Sequence, residues 1–184
     1  MKKLNKFGFI LFLAVTSILS SCSSDDSDGG SGGFSGPSTG TFVKAKIGST
    51  NLLAEGDYAN GGYNSGNLVL QGFSTTTGKS VNIQLYAIDG SLEVGTYAMD
   101  LSNNEDNYVG SLSLIDVDIN SMSTKTYNSS FCDDSNGTLE ITFIDATKIE
   151  GTFSFKGKEL LESEDCSGGT KNVTNGSFRL EIGS

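Results

Sequence analysis

Histidine, the side chain that most often transfers protons near neutral pH, is absent from this 184-residue sequence. Its absence excludes serine and cysteine nucleophiles activated by imidazole, and every zinc site that contains histidine. The remaining chemistry rests on three cysteines and 22 acidic residues. A carboxylate pair could act as acid and base, but the acidic residues are spread over the chain and no pattern selects two of them. We therefore expect no enzymatic activity and no cofactor.

Two runs of oxygen-bearing side chains are candidates for a cation site. In the run 116–120 (DVDIN), Asp116, Asp118 and Asn120 place oxygens at alternate positions, as in calcium loops. The sixth position of such a loop is Ser121 instead of glycine, and no glutamate follows at the twelfth. The run 133–137 (DDSNG) has the composition of a turn. We interpret the first run as a strand and the second as a turn, and we expect no bound metal.

Asp57, Tyr58 and Tyr63 lie in a stretch rich in glycine and asparagine, residues 56–66, and are the candidates for a ligand-binding loop. Loops on a rigid sheet often carry binding function, and tyrosine rings can stack on a sugar while asparagine amides bind its hydroxyl groups. The chain has no tryptophan to strengthen such a site. The alternative is a flexible loop without a ligand.

Cys22 lies where an apolar run changes into an acidic, glycine-rich stretch. Three lysines precede the apolar run Phe7–Leu19, a layout typical of a secretory signal peptide. The run is too short for a permanent transmembrane helix, which needs about 20 apolar residues. The four residues Leu19-Ser20-Ser21-Cys22 match a lipobox, and in this respect the chain resembles bacterial lipoproteins.

That resemblance implies that the sulfur of Cys22 carries lipid, that residues 1–21 are removed and that the new amino end is acylated. Two or more acyl chains anchor a protein stably, whereas one holds it only marginally. Asp25 and Asp26, just behind Cys22, resemble the export signal of Bacteroidota surface lipoproteins. This implies anchoring in the outer membrane, facing the cell exterior, with the periplasmic face as the alternative.

Cys132 and Cys166 remain once Cys22 is assigned to lipid. An even pair in an exported domain most simply forms one disulfide. The alternative, a redox or metal pair, requires a thiolate of low pKa or further ligands, and the sequence has neither a CxxC spacing nor histidine. We therefore expect a structural disulfide between these two residues.

Residues 22–40 are rich in Gly, Ser and Asp, a composition that stays flexible, and we expect them to tether a single domain, residues 41–184. Removing residues 1–21 takes away three of the 12 basic residues and none of the 22 acidic ones, which leaves a net charge of −13. Such a chain repels the phosphates of nucleic acids. We therefore exclude a nucleic-acid partner.

From residue 41 onward, apolar and polar residues alternate, which predicts half-buried β-strands. The clearest runs are residues 43–47, 81–86, 139–143, 149–155 and 178–182. Turn residues bound them at Gly78, Asp89-Gly90, Asn136-Gly137 and Asn175-Gly176. Eight or nine short strands without helical periodicity predict an all-β fold. We expect a single antiparallel β-sandwich, with a closed or partly open β-barrel as the alternative.

Two details of the strand pattern can be tested. In the segment 138–156, we expect Leu139, Ile141 and Phe143 to line the core together with the apolar residues of 149–155. Opposed residues must then have numbers of equal parity, and the connecting loop must contain an odd number of residues. In the segment 111–120 the apolar phase changes near Leu114, where we expect a β-bulge.

Several strand and turn patterns, among them 95–97 (GTY), 150–155 (EGTFSF) and 173–178 (VTNGSF), resemble small uncharacterised lipoproteins of Bacteroidota. This resemblance supplies no known active site to transfer to this chain. We expect a non-enzymatic cell-envelope lipoprotein that binds a partner or has a structural role. The alternatives are a carbohydrate-binding accessory lipoprotein and, less favoured, a carboxylate-based hydrolase. The expected partners are the membrane, through the lipid anchor, and a glycan or a protein.

Overall fold

The computed structural model describes residues 33–101, 107–163 and 165–183. Cys22, Asp25 and Asp26 lie outside these ranges, so the lipid anchor and the export signal stay predictions. Within the described ranges, no helix has the length and apolar character needed to cross a membrane.

Eleven β-strands and one short 3₁₀ turn, Gly56–Tyr58, account for most of the described residues. The strands are β1 (Phe42–Ile47), β2 (Thr50–Glu55), β3 (Ala59–Asn64), β4 (Asn67–Ser74), β5 (Lys79–Ala87), β6 (Gly95–Ala98), β7 (Tyr108–Asp118), β8 (Ser123–Asn128), β9 (Asn136–Ile144), β10 (Lys148–Glu159) and β11 (Thr170–Glu181). The all-β prediction is confirmed. Strands such as β3 and β8 were not predicted, because most of their residues are exposed and polar and do not alternate with apolar ones.

All eleven strands belong to one antiparallel sheet with the order β2-β1-β11-β10-β8-β7-β5-β4-β3, and β9 pairs with both β10 and β6 beside this path. The sheet curls so strongly that β2 packs against β4 near its other end. At this contact, Gly72 on β4 has no room for a Cβ atom, because Val43 and Ala54 fill the space. The sheet is therefore nearly closed and barrel-like, which matches the barrel alternative of the predicted all-β fold.

The core lies inside this curled sheet and is filled by every second side chain of its strands. On β5, Val81, Ile83 and Leu85 are fully buried, as their alternation predicts. The largest completely buried side chains are Phe42, Phe178, Leu52, Leu68, Leu70, Ile83, Leu85, Met99, Leu112, Leu114, Leu139 and Ile141. Most of them point inward, but Phe42 points out of the barrel and is covered by the chain that precedes β1.

Asn175 and Gly176 do not form the turn that the sequence predicts. They lie inside the 12-residue strand β11, where Asn175 adopts a left-handed backbone conformation with φ of 51°. The pairing of β11 with β1 and with β10 shifts register at this point, which identifies a β-bulge. Asparagine tolerates the left-handed region better than most residues, so the same dipeptide serves a bulge as well as a turn.

The β9–β10 hairpin follows the predicted pattern except next to its turn. Three residues, 145–147, connect the strands, and from the pair Ile141–Gly151 onward opposed residues have equal parity, as predicted. A register shift between Glu150 and Gly151 then places Ile144 opposite Ile149. The prediction that Phe143 lines the core is therefore wrong, because the shift turns its ring outward and Ile144 packs against the core instead.

Strand β7 contains no bulge near Leu114, which corrects the second detailed prediction. Its pairing with β5 runs without a break from Tyr108 opposite Ala87 to Asp116 opposite Lys79. The apolar residues Ile115 and Val117 lie on the outer face and are only partly buried. The change of apolar phase thus reflects partial cover of the outer face rather than an irregular backbone.

Candidate functional site

A cleft of about 810 Å³ lies on the outer face of the barrel over strands β1 and β2. We call it the β1–β2 cleft. Its floor is formed by Lys44, Lys46, Asn51 and Leu53, and its walls by Asn175 and by the chain that precedes β1. Clefts that hold small molecules usually measure about 300–1,000 Å³, so this one has the size of a ligand site.

The floor of the cleft follows from the strict alternation of side chains in a β-hairpin. Along β1, Ala45 points into the core, and its neighbours Lys44 and Lys46 therefore point outward. In the pairing with β2, Lys44 lies opposite Leu53 and Lys46 lies opposite Asn51. Two cations, an amide and an apolar side chain thus share one face of the hairpin.

The bulge in β11 forms one side of the cleft. The pairing of β1 with β11 shifts register between Lys44 and Lys46, beside Asn175. A bulge leaves a residue outside the regular ladder and changes the direction of its side chain. Asn175 is exposed and lines the cleft, so the backbone irregularity places a second amide near the two lysines.

The other part of the wall is the segment 33–41, which contacts the outer faces of β1 and β11. The backbone N–H of Ser35 donates to the hydroxyl of Ser177 at 3.1 Å, and the hydroxyl of Ser35 accepts from Lys44 Nζ at 3.1 Å. Near the other end of the segment, the N–H of Gly40 donates to a carboxylate oxygen of Glu181 at 2.7 Å. The last part of the predicted tether therefore contacts the barrel.

Arg179 fixes this segment from below. Its Nη1 donates to the backbone carbonyl of Pro37 at 2.9 Å. Its guanidinium lies 5.6 Å from the ring centroid of Phe34 and 5.5 Å from that of Phe42, within the range of cation–π contacts. These contacts bury Phe42 completely although it points away from the barrel core.

Glu150 neutralises Arg179 beneath the segment. Its Oε1 accepts from Arg179 Nε at 2.6 Å and from Lys148 Nζ at 2.9 Å. Burial raises the pKa of Glu150, but the hydrogen bonds from Lys148 and Arg179 outweigh it and hold that pKa below its ordinary value. The carboxylate therefore stays ionised and binds both cations.

The charge of the β1–β2 cleft is opposite in sign to that of the whole chain. Two lysines line it and none of its lining residues is acidic, whereas the full sequence carries a formal charge of −10. Among the described residues, no ion pair joins Lys44 or Lys46 to a carboxylate. The cleft is thus an electropositive site on an acidic protein.

A second, smaller cleft of about 430 Å³ contains the predicted DVDIN run but has a balanced charge. Lys79 Nζ donates to Asp116 Oδ1 at 2.5 Å, so this carboxylate already has a cation partner. Hydrogen bonds from the backbone N–H groups of Asn120 and Ser121 hold the carboxylate of Asp118 in a turn and lower its pKa. Asp116 and Asp118 lie on β7, as the interpretation of the run as a strand predicts, whereas Asn120 belongs to the turn that follows.

In the DDSNG run, residues 133–135 form a turn, and Asn136 and Gly137 already belong to β9. The N–H of Ser135 donates to the carbonyl of Cys132 at 2.9 Å, and Ser135 Oγ donates to the carbonyl of Ser129 at 2.9 Å. The carboxylate of Asp134 accepts from Lys158 Nζ at 2.9 Å, which lowers the pKa of Asp134. Within the described part of the chain, no cluster of three acidic or cysteine side chains could hold a metal ion.

Asp57, Tyr58 and Tyr63 line neither of the two clefts. Tyr58 is half exposed on the 3₁₀ turn, whereas Tyr63 is partly buried and packs against the core from β3. The two tyrosines are five positions apart in sequence, and the four residues between them, 59–62, are extended in β3, which separates their Cα atoms by about 16 Å. The structure therefore does not bring these three side chains together into one concave site.

Cys132 and Cys166 form a disulfide with a Cα–Cα distance of 6.0 Å. It connects the turn before β9 with the loop between β10 and β11. Cys132 is buried and Cys166 is exposed. The predicted pairing is thus present in the structure, and it ties two loops together away from the β1–β2 cleft.

Among the described residues, none of the carboxyl groups with a shifted pKa has the shift that a general acid requires. Such a group needs a raised pKa, which burial without a partner would provide. Hydrogen bonds from neighbouring N–H and O–H groups instead lower the pKa of five of them, namely Asp118, Asp134, Asp145, Glu159 and Asp165. The pKa of Glu150 is lowered as well, because Lys148 and Arg179 donate hydrogen bonds to its carboxylate.

Comparison with protein-family models, with curated proteins and with solved structures finds no match to this chain. Functional inference therefore rests on its own residues and their geometry.

The β1–β2 cleft was missed at the level of sequence. The available signal was the pair of outward lysines in VKAKI, on a chain with few basic residues. Alternation alone could not show that Asn175 occupies a bulge beside them. It also could not show that residues 33–41 return to the barrel and form a wall.

Proposed function

We propose that this chain is a lipid-anchored, non-enzymatic binding protein of the bacterial outer membrane, with its barrel facing the cell exterior. The lipobox that ends at Cys22 supports the anchor, and Asp25 and Asp26 support display on the outer surface. The disulfide supports an exported protein, because such bonds persist in oxidising compartments.

The β1–β2 cleft is the observation that supports a binding role. It combines a ligand-sized volume with two cations that no carboxylate of the described chain neutralises. Its wall is held by buried contacts of Arg179, so the site is formed before a ligand arrives. A preformed site loses less entropy on binding than one that must first be ordered.

Binding is better supported than hydrolysis. The chain has no histidine, and the carboxyl groups with a shifted pKa are shifted downward, which suits ion pairs and turns. A carbohydrate-binding accessory protein is the second candidate. The exposed amides of Asn51 and Asn175 favour it, because amides can donate to and accept from sugar hydroxyl groups.

Membrane anchoring is tested by Cys22→Ala with Ser23→Ala as the matched control. Because Cys22→Ala removes the sulfur that carries lipid, we expect the first variant in the soluble fraction and the second in the membrane fraction. Retention of both variants in the membrane would refute the anchor.

Surface display is tested separately on intact cells. Replacement of Asp25 and Asp26 by alanine should reduce digestion of the chain by added protease, while the membrane fraction keeps the same amount of protein. Replacement of Asp28 alone is the control. Digestion of the double variant as complete as that of the wild type would indicate a different export signal, and a wild type that resists the protease would indicate the periplasmic face.

A further inference from the structure

We propose that the β1–β2 cleft binds an acidic saccharide, in which a carboxylate contacts Lys44 and Lys46 and the hydroxyl groups contact Asn51 and Asn175. This inference rests on the proposed binding function and names the class of ligand for the same cleft. Its basis is the distribution of charge over the described residues, together with the kind of side chain around the two lysines.

Nine basic residues follow Cys22, and they differ in whether an acidic side chain lies close to them. Five of them form ion pairs with acids of the chain, namely Lys79, Lys125, Lys148, Lys158 and Arg179. Two more lie close enough to an acid to lower its pKa, Lys156 near Asp134 and Lys171 near Glu159. Only the remaining two, Lys44 and Lys46, line the β1–β2 cleft. Within the described ranges, no carboxylate forms an ion pair with either of them, and we infer that their charge is available to an external anion.

The spacing of the two lysines suits a single anionic group. They occupy alternate positions on one strand, which places their Cα atoms about 7 Å apart on the same face. Lys44 Nζ donates one of its three N–H groups to the hydroxyl of Ser35, a wall residue. Two donors of this ammonium therefore remain for a ligand that lies between the floor and the wall.

The other side chains of the cleft suit the hydroxyl and C–H groups of a sugar. Asn51 and Asn175 each offer an N–H donor and an oxygen acceptor, the combination that hydroxyl groups require. Leu53, half exposed beside Lys44, offers an apolar contact for C–H groups. An inorganic anion would use the lysines and the amide N–H donors, but not the amide oxygens or the apolar surface of Leu53. A sugar acid would use all of them.

The experiment is a titration followed by two-dimensional ¹H–¹⁵N NMR of chain 22–184 carrying Cys22→Ser. Trigalacturonate is the acidic probe, maltotriose the neutral probe and inorganic phosphate the probe for a simple anion. We expect trigalacturonate to shift the amide signals of residues 44–46, 51–53 and 175, while the other two probes leave them unchanged.

Charge-matched variants locate the site. We expect Lys44→Gln with Lys46→Gln to weaken trigalacturonate binding at least tenfold. Lys156→Gln with Lys171→Gln removes the same charge from other strands and should change binding less than twofold. Equal weakening in both variants would overturn the inference, because the attraction would then be non-specific.

The other outcomes separate this inference from the proposed function. Equal binding of maltotriose in the cleft would overturn the inference that the ligand is acidic. The proposed binding function would still stand. If phosphate bound as tightly as trigalacturonate, the inference that the ligand is a saccharide would be overturned. Shifts confined to residues outside the cleft, or no shift with any probe, would also overturn the inference. The anchoring of the chain is judged independently by the Cys22→Ala variant.

Discussion

Arg179 Nε lies 2.6 Å from Glu150 Oε1 on the outer face of the barrel, and both side chains are largely buried. The pair joins β11 to β10, and the same guanidinium holds the carbonyl of Pro37 in the segment 33–41. The segment is one wall of the β1–β2 cleft. The ion pair therefore connects the stability of the sheet with the shape of the candidate binding site.

Arg179→Met should destabilise the protein by about 3 kcal/mol, because removing one partner of a buried ion pair leaves the other charge without full compensation. Glu150 retains Lys148, which limits the loss. Urea unfolding at neutral pH measures the change. The control is Lys125→Met, which removes an exposed ion pair with Glu159 and should cost far less. Equal losses in the two variants would show that the buried pair has no special role.

Lowering the pH should weaken the ion pair between Arg179 and Glu150. Because the folded-state pKa of Glu150 lies below its ordinary value, the ionised carboxylate stabilises the fold at neutral pH. This stabilisation is lost from about pH 5 downward, as the pH falls toward the folded-state pKa. Thermal unfolding of wild type and Glu150→Gln across this range measures it. The difference in melting temperature between the two proteins should shrink on acidification, and a constant difference would contradict the assignment.

The alternation of apolar and polar residues allowed much of the fold to be predicted from sequence. Val81, Ile83 and Leu85 were assigned to the core correctly because β5 pairs regularly on both sides. Phe143 and Asn175 were assigned wrongly because a bulge depends on the partner strand and not on the bulged strand alone.

The candidate site could not be predicted because it is formed by residues that are far apart in sequence. Ser35 and Ser177 are 142 positions apart in sequence, yet their hydrogen bond helps to form the wall of the cleft. Nothing in the composition of residues 33–41 distinguishes a docked segment from a free tether. The two lysines on β1 were visible in the sequence, but only the fold shows that they share a cleft free of acidic side chains.

The disulfide should contribute stability without forming part of the binding site. Joining residues 34 positions apart is worth about 4 kcal/mol in the chain-entropy model, so replacing both cysteines by alanine should lower the melting temperature clearly. Mass spectrometry with and without reductant checks the bond itself. NMR shifts should be confined mainly to residues 129–135 and 165–169. Loss of signals around Lys44 and Lys46 would contradict this separation.

Gly151 on β10 provides the sharpest test of the bulged hairpin and of its contact with β11. A Cβ atom at this position would overlap the carbonyl oxygen of Glu140 and approach the ring of Phe178 to 2.6 Å. Both neighbours are fixed within the sheet, so Gly151→Ala should cost about 2 to 3 kcal/mol through overpacking. Gly62→Ala is the matched control, because a Cβ atom there meets nothing within 4 Å. Chemical denaturation of both variants should show a large loss only at Gly151, and equal stabilities would mean that β9, β10 and β11 pack differently from this arrangement.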